Sequence, residues 1–242
     1  MTEAASFLAD GIRQAADLLA HGDHDILVVV GTTLRLGVLS TLLALALGLP
    51  IGLALGLGRF RGRRAGLALA NAGMGLPPVV VGLVVALLLF RGAPLGGLNL
   101  LYTFDGMLLA QTLLALPLVA ALTAAAVQSL PAGLLEQARA FGASRAQVSV
   151  LALREARVGV LAATIAALGS AFAEVGAVVL VGGNIEGETQ TLASAVLVRV
   201  SAGEYGRAIA LGAILLGVIL VLAAGLTLAQ QHERRALLGR PS

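Results

Sequence analysis

The chain has 242 residues, of which 58% are hydrophobic and only 12% are charged, and its formal net charge is +3. A soluble domain of this length would carry charges on about a quarter of its residues, so the composition predicts a membrane protein. The absence of cysteine excludes a disulfide framework and a thiolate metal site.

All 16 basic residues are arginine, because the sequence contains no lysine. A phosphate-binding P-loop needs the pattern G-x-x-x-x-G-K-[ST], whose lysine reaches the nucleotide phosphates. We therefore expect no ATPase site of this kind in the chain, and we do not expect it to be an enzyme. Any ATP hydrolysis that it uses would belong to a partner subunit.

Residues 1–25 are polar and carry five acidic side chains. A secretory signal peptide would instead begin with basic residues and continue into an apolar core. Phe7, Leu8, Ile12 and Leu19 follow helical spacing, which predicts a short amphipathic helix at the membrane surface. A frayed leader without fixed structure is the alternative.

Five apolar segments are long enough to cross a bilayer, which takes about 20 residues. The predicted spans are about 33–58, 68–90, 107–128, 158–183 and 208–231. The fold class is therefore all-α, a polytopic membrane protein with a single transmembrane domain over residues 1–242. We expect loops at 91–105 and 184–207.

The second span contains glycines followed by Pro77 and Pro78, which predict a kinked or broken helix. Backbone groups freed inside a membrane are tolerated only where protein or a watery cavity covers them. The break is therefore a weak indication of a transport path, and a purely structural bend is an equally good interpretation.

The arginines are distributed unevenly between the two predicted sides of the membrane. Four follow the first span, four lie in residues 131–157 and three in the tail, against five on the other side. The positive-inside rule then predicts that the 131–157 loop and the C-terminus are cytoplasmic. Five spans place the N-terminus outside.

The 131–157 loop reads as two short helices joined by a glycine. Pro131 precedes a run of helix formers, and Gly142 occupies the position of a C′ glycine that ends the first helix. Ser144 followed by Gln147 matches a capping box for the second helix. An ordered loop of this kind favours a docking surface, with an ordinary amphipathic connector as the alternative.

Two features near the fourth span could serve chemistry. Glu174 is the one acidic residue inside a predicted span, and such a residue is a functional hypothesis by default, with a structural polar anchor as the alternative. The stretch that follows offers backbone N–H groups and neutral donors, which suit an oxyanion, unless it is a plain turn. Its candidate residues are Gly182, Gly183, Asn184, Thr189 and Thr191.

Residues 136–142, EQARAFG, resemble the EAA loop of ABC importer permeases, with Gln137 in place of the first alanine and without the Leu-Pro that usually follows. The stretch AEVGAVVLVGGNI at 173–185, with Gly187, Thr191-Leu192, Gly203 and AIALG at 208–212, is very similar to the tungstate branch of that family. The two matches cover about 136–216.

The resemblance implies the type I importer fold and transport of tungstate across a bacterial or archaeal cytoplasmic membrane. It also implies a homodimer of permease chains, two copies of an ATPase subunit and an extracytoplasmic substrate-binding protein. We expect no cofactor, no metal and no nucleic-acid partner. The alternative cargoes are molybdate, sulfate and an organic sulfonate, and the alternative classes are a membrane scaffold and an intramembrane enzyme.

The resemblance and the loop pattern together give two sets of candidate residues. The expected ATPase-coupling residues are Glu136, Ala138, Arg139, Gly142, Ala143 and Ser144. The expected translocation-path residues are Glu174, Gly182, Gly183, Asn184, Thr189, Thr191 and Pro77.

Overall fold

The structure is a computed structural model that describes residues 24–238 and, before them, Arg13. Apart from Arg13 and the first residues of the first long helix, the amphipathic helix expected in residues 1–25 lies outside the described residues. The described part of the chain is helical and contains no strand, which confirms the all-α fold class.

Ten α-helices and one 3-10 turn follow one another in residues 24–238. They are α1 (His24–Leu57), α2 (Arg63–Met74), α3 (Pro78–Leu89), the 3-10 turn (Gly96–Leu98), α4 (Phe104–Gln128), α5 (Ala132–Ala140), α6 (Arg145–Glu155), α7 (Arg157–Ala173), α8 (Gly176–Gly182), α9 (Leu192–Ser201) and α10 (Tyr205–Leu238).

Three of these helices are long and apolar enough to cross a membrane: α1, α4 and the Tyr205–Leu228 part of α10. Two helix pairs pass the same test only if each bent pair counts as one span, which brings the number to at most five. The pair α2 and α3 bends by 104° at the glycine-proline run, as that run predicts. The pair α6 and α7 bends by 69°.

Two predicted segments differ in detail from the structure. The span expected at 158–183 is not continuous, because α7 ends at Ala173 and α8 begins at Gly176. The loop expected at 184–207 contains α9, whose start is capped by Thr191 and Ser194. Serine at the third helical position replaces the glutamate or glutamine of the usual capping box, so the signal was easy to miss.

The described residues form two compact units that interleave along the sequence. Unit 1 takes residues 24–40, 77–111 and 169–222, and unit 2 takes 41–76, 112–168 and 223–238. The core of unit 1 includes Val29, Leu192 and Leu211, which bring the start of α1 against α9 and α10. In the same unit, Gly82 on α3 lets Ala177 on α8 approach closely.

Unit 2 is built around a row of glycines on α1. Gly48, Gly52 and Gly56 recur every four residues and face α4, where a Cβ added at Gly52 would lie 2.6 Å from the Cβ of Thr123. Small residues at this spacing allow helix backbones to approach closely, and close packing is one of the forces that hold helices together in a membrane. The glycine row is a packing face of α1.

Candidate functional site

The joint between α5 and α6 has the geometry that the sequence predicts. Gly142 has φ +84°, the left-handed conformation that glycine adopts without strain. Its N–H donates to the carbonyl of Arg139, and the N–H of Ala143 donates to the carbonyl of Ala138, both at 3.0 Å. These two bonds form a Schellman motif, so α5 has a fixed end and the chain leaves it in a defined direction.

The start of α6 is fixed by a complete capping box. The hydroxyl of Ser144 accepts from the N–H of Gln147 at 3.3 Å, and the side-chain oxygen of Gln147 accepts from the N–H of Ser144 at 2.8 Å. Val148 and Ala152 are buried, and Ala152 packs with Val127 of α4. The loop therefore rests on the helices of its own unit.

The outer surface of this loop is exposed at the expected coupling positions. Glu136, Arg139, Gly142 and Ser144 are exposed, while Ala138 and Ala143 are half-buried. Phe141 is the feature that the sequence interpretation missed, with 91% of its surface exposed. The signal in the sequence was an aromatic ring beside the glycine joint of a polar loop, although a single exposed apolar residue does not by itself mark a contact site.

The second candidate site follows α8, where the chain turns sharply. Gly183 and Gly187 have φ +72° and +81°, and Asn184 has φ +53°. The hydroxyl of Thr189 donates to the carbonyl of Gly182 at 2.7 Å and accepts from the N–H of Ile185 at 2.8 Å. Thr189 is therefore buried in a turn that it closes from within.

The hydroxyls expected to serve as donors for an anion are used by the chain itself. That of Thr191 caps α9 by accepting from the N–H of Ser194 at 3.3 Å, and that of Thr189 closes the turn. The side-chain oxygen of Asn184 is buried and has no hydrogen-bond partner in the described structure. Backbone N–H groups of the stretch are used in the same way, among them that of Gly183, which donates to the carbonyl of Val179 at 2.9 Å. The side-chain donor that the stretch offers is the Asn184 amide.

Glu174 lies in the break between α7 and α8. Its Oε1 accepts from the N–H of Ala177 at 2.9 Å, so the side chain caps the first turn of α8. A carboxylate at this position satisfies an N–H that has no partner within the helix. The structural alternative for Glu174, a polar anchor, is therefore supported by a specific bond.

The break at Glu174 meets the break before α3 inside unit 1. A Cβ added at Gly176 would lie 2.4 Å from Cγ2 of Val79, which is two residues after Pro77. The predicted path residues Glu174 and Pro77 thus come to the same region, and the turn at Gly182–Thr191 follows at the other end of α8. The predicted coupling residues all belong to unit 2.

The structure contains long apolar helices, two bent helix pairs and a loop whose helix ends are capped. These features define a polytopic α-helical membrane protein. The sequence matches the family described as "Binding-protein-dependent transport system inner membrane component" over residues 48–235. The chain belongs to this family, and it is a multi-pass membrane protein.

The names of similar proteins are consistent with membership of this family. The chain is 43% identical over 211 residues to a "Probable anion ABC transporter permease protein" of Haloferax volcanii, covering 84% of this chain and 91% of that protein. It is 33% identical over 210 residues to the "Tungstate uptake system permease protein TupB" of Peptoclostridium acidaminophilum, covering 87% and 92%. These relatives are named as transport permeases, not as enzymes.

Solved structures share the fold. A chain of a bacterial alginate ABC transporter, solved with a pentasaccharide-bound periplasmic protein, superposes with a TM-score of 0.74 at 17% identity and covers 100% of this chain and 91% of that one. A chain of the MetNI methionine ABC transporter in an inward-facing conformation gives 0.67 at 20% identity, covering 88% and 96%. At these identities the likeness concerns the fold alone.

Proposed function

We propose that this chain is the permease subunit of an ABC importer that moves tungstate across the cytoplasmic membrane. The observation that carries the proposal is the loop at Ala132–Glu155, which is held rigid by a Schellman motif and a capping box while Phe141 projects from it. A loop whose two helices have fixed ends suits docking better than it suits a flexible connection between spans. Docking of this kind is what a protein needs if it transmits movement from a separate ATPase.

In this mechanism the loop acts as a lever. Phe141 enters an apolar groove on the ATPase subunit, and Glu136 makes a polar contact beside it. Arg139 holds the joint through its carbonyl, which accepts from the N–H of Gly142. Because the joint at Gly142 is fixed by hydrogen bonds on both sides and α6 packs on α4 through Ala152, movement of the loop carries the helices with it. Ala138, Ala143 and Ser144 keep the joint in shape.

The partners follow from the same proposal. Two copies of this chain form the pore, each with one ATPase subunit, and an extracytoplasmic binding protein delivers the anion. The solved alginate transporter contains a periplasmic protein of this kind, which supports the expectation. The loop and the C-terminus lie in the cytoplasm and the N-terminus outside, as the arginine distribution predicts.

The path through the membrane uses neutral donors to contact the anion. The one charged side chain among the proposed path residues is that of Glu174, which already accepts from the N–H of Ala177. The other proposed path residues are Pro77, Gly182, Gly183, Asn184, Thr189 and Thr191. With the hydroxyls of Thr189 and Thr191 and the N–H of Gly183 already used, the turn offers the side-chain amide of Asn184 for brief contact with the anion. Moving a dianion out of water costs much free energy unless hydrogen-bond donors replace the water. A path with few donors therefore binds the anion weakly and releases it readily.

Tungstate is favoured over other oxyanions by the relatives. Two proteins named as tungstate permeases match at 33% identity over 87% of this chain, whereas one named as a molybdenum transport permease matches at 27% over 73%. The 43% relative is named only for anion transport, which leaves the cargo to experiment.

The test is uptake into proteoliposomes that contain the permease and its ATPase, with the binding protein added outside. We expect ATP-dependent tungstate accumulation that excess sulfate does not suppress. Equal competition by sulfate would refute the cargo, and a preference for molybdate would reassign it. The complex without its binding protein should bind tungstate no tighter than about 10 μM, roughly 7 kcal/mol; tighter binding would refute the weak path.

A further inference from the structure

Unit 2 contains a cavity of about 610 Å³ where the end of α1 meets the α5–α6 joint. Three arginines line it. Arg59 follows the end of α1, and Arg139 and Arg145 lie one on each side of the joint. The remaining wall is mainly aliphatic and includes Leu53 and Leu57. The cavity is thus lined by both cationic and apolar residues.

The three guanidinium groups have no acidic partner in the described part of the chain. Other arginines show what a satisfied guanidinium looks like here. Arg63 donates to the carbonyls of Leu55 and Gly56 and so caps the end of α1. Arg199 pairs with acidic side chains in unit 1. The cavity therefore concentrates positive charge that the described residues leave uncompensated.

Arg145 lies at a position where a positive charge is unfavourable. Arg145 is the first residue of α6, directly after its N-cap. The N-terminal end of a helix carries partial positive charge, so a cation there is unfavourable and an anion is favoured. Because Arg145 lines the cavity, an anionic ligand bound there would offset the repulsion between its guanidinium and the helix end.

We propose that this cavity binds the phosphodiester headgroup of an anionic phospholipid. Guanidinium groups pair with phosphate oxygens through two parallel hydrogen bonds, and basic pockets beside transmembrane helices on the cytoplasmic side are suited to such headgroups. A free oxyanion would use only the cationic residues. The aliphatic residues, and the exposed side chains of Leu47 and Ile51 on the same helix, suit the acyl chains that follow a headgroup.

A lipid held here would touch both sides of the Gly142 joint, through Arg139 and Arg145. Its occupancy would hold the loop against α1 and reduce the freedom of the joint. The lipid composition of the membrane would then adjust how firmly the loop is presented. This role is separate from the transported cargo.

Native mass spectrometry of the purified permease–ATPase complex tests the proposal, with phosphatidylglycerol and phosphatidylcholine added in equal amounts. We expect one tightly retained phosphatidylglycerol per permease chain. The double variant Arg59→Gln with Arg145→Gln should lower its retention by more than about tenfold, because it removes two charge-assisted contacts to the headgroup phosphate. The control, Arg61→Gln with Arg64→Gln, removes the same charge from residues outside the cavity wall and should retain the lipid.

Three results would overturn the proposal. The first is equal retention of the two lipids, or equal retention by the two double variants. The second is that millimolar phosphate or tungstate stabilises the complex in phosphatidylcholine nanodiscs, whereas phosphatidylglycerol does not. If the Arg59→Gln, Arg145→Gln variant also loses this stabilisation, the cavity binds a soluble oxyanion. The third is lipid bound by the permease alone but not by the complex, which would assign the arginines to the ATPase.

Discussion

The hydroxyl of Thr33 on α1 accepts a hydrogen bond from the N–H of Leu192, the first residue of α9, at 2.8 Å. The same hydroxyl donates to the carbonyl of Val29 at 2.7 Å. Both residues are buried, with Thr33 4% and Leu192 0% exposed. The first N–H groups of a helix have no partner within it, so one threonine satisfies such a group across 159 residues of sequence.

Replacing Thr33 with valine should destabilise unit 1. Valine keeps the shape of threonine but leaves the N–H of Leu192 buried without an acceptor, at a cost of about 1–3 kcal/mol. Thermal unfolding in detergent measures the effect. Thr33→Ser keeps the hydroxyl and is the control; if the serine and valine variants unfold at the same temperature, the hydrogen bond is not what stabilises this contact.

The glycine row on α1 predicts opposite effects for the same substitution at two sites. Gly52→Ala would place its Cβ 2.7 Å from the carbonyl oxygen of Ala120, and such overpacking costs about 1–3 kcal/mol. Gly31→Ala on the same helix meets nothing within 4 Å and should be neutral or stabilising, because alanine favours helix over glycine by about 0.5–1 kcal/mol. Equal unfolding temperatures for the two variants would contradict the packing role.

The Gly142 joint predicts loss of coupling without loss of assembly. A side chain at Gly142 meets no neighbour within 4 Å, so Gly142→Val suffers only from its left-handed backbone, about 1–2 kcal/mol. We expect this variant to insert in the membrane and to lose the ATP hydrolysis that the binding protein stimulates. Gly142→Asn, which tolerates the left-handed region, should keep most of it. Normal stimulated turnover in the valine variant would show that the joint is not a lever.

The exposed ring of Phe141 predicts an anchor for the ATPase. Phe141→Ala should leave the unfolding temperature unchanged, because the side chain is 91% exposed, and should weaken co-purification of the ATPase by at least about tenfold, or 1.4 kcal/mol. Leu69→Ala removes another exposed side chain, 75% exposed on α2, and is the control. Unchanged ATPase recovery from the Phe141 variant would place the contact elsewhere on the loop.

The loop was predictable because its signals are local. The glycine at 142 and the pair Ser144 and Gln147 act within a few residues, and the structure confirms both the Schellman joint and the capping box. The break before Pro78 was predictable for the same reason, since proline removes a donor and clashes with the preceding turn.

Long-range features could not be predicted in the same way. The burial of α9 depends on Thr33, and the face of the glycine row depends on Thr123, neither of which is near in sequence. No proline lies at the break after Ala173, so the local signal that predicted the break before Pro78 is missing there. The hydroxyls of Thr189 and Thr191 looked available as donors because their partners, Gly182 and Ser194, become visible only when the turn is folded.

The last prediction concerns Glu174. Its position favours a role in transport, whereas its hydrogen bond favours a role in stability. It lies at a helix break in the proposed path of a dianion, yet its Oε1 accepts from the N–H of Ala177 at 2.9 Å. A carboxylate facing the path would repel a dianion, so negative charge at this position brings no advantage to transport. The bond to Ala177 needs only an oxygen acceptor, which a glutamine amide also supplies.

We therefore expect Glu174→Gln to keep the cap of α8 and to transport tungstate at least as well as the unmodified protein. Glu174→Ala removes the acceptor and should destabilise the protein by about 1 kcal/mol, the usual net value of one hydrogen bond, with uptake reduced in proportion. Unfolding temperature and initial uptake rate, measured on both variants, separate the two roles. If the glutamine variant is stable but does not transport, the charge of Glu174 takes part in transport; if it is as unstable as the alanine variant, the cap depends on a carboxylate.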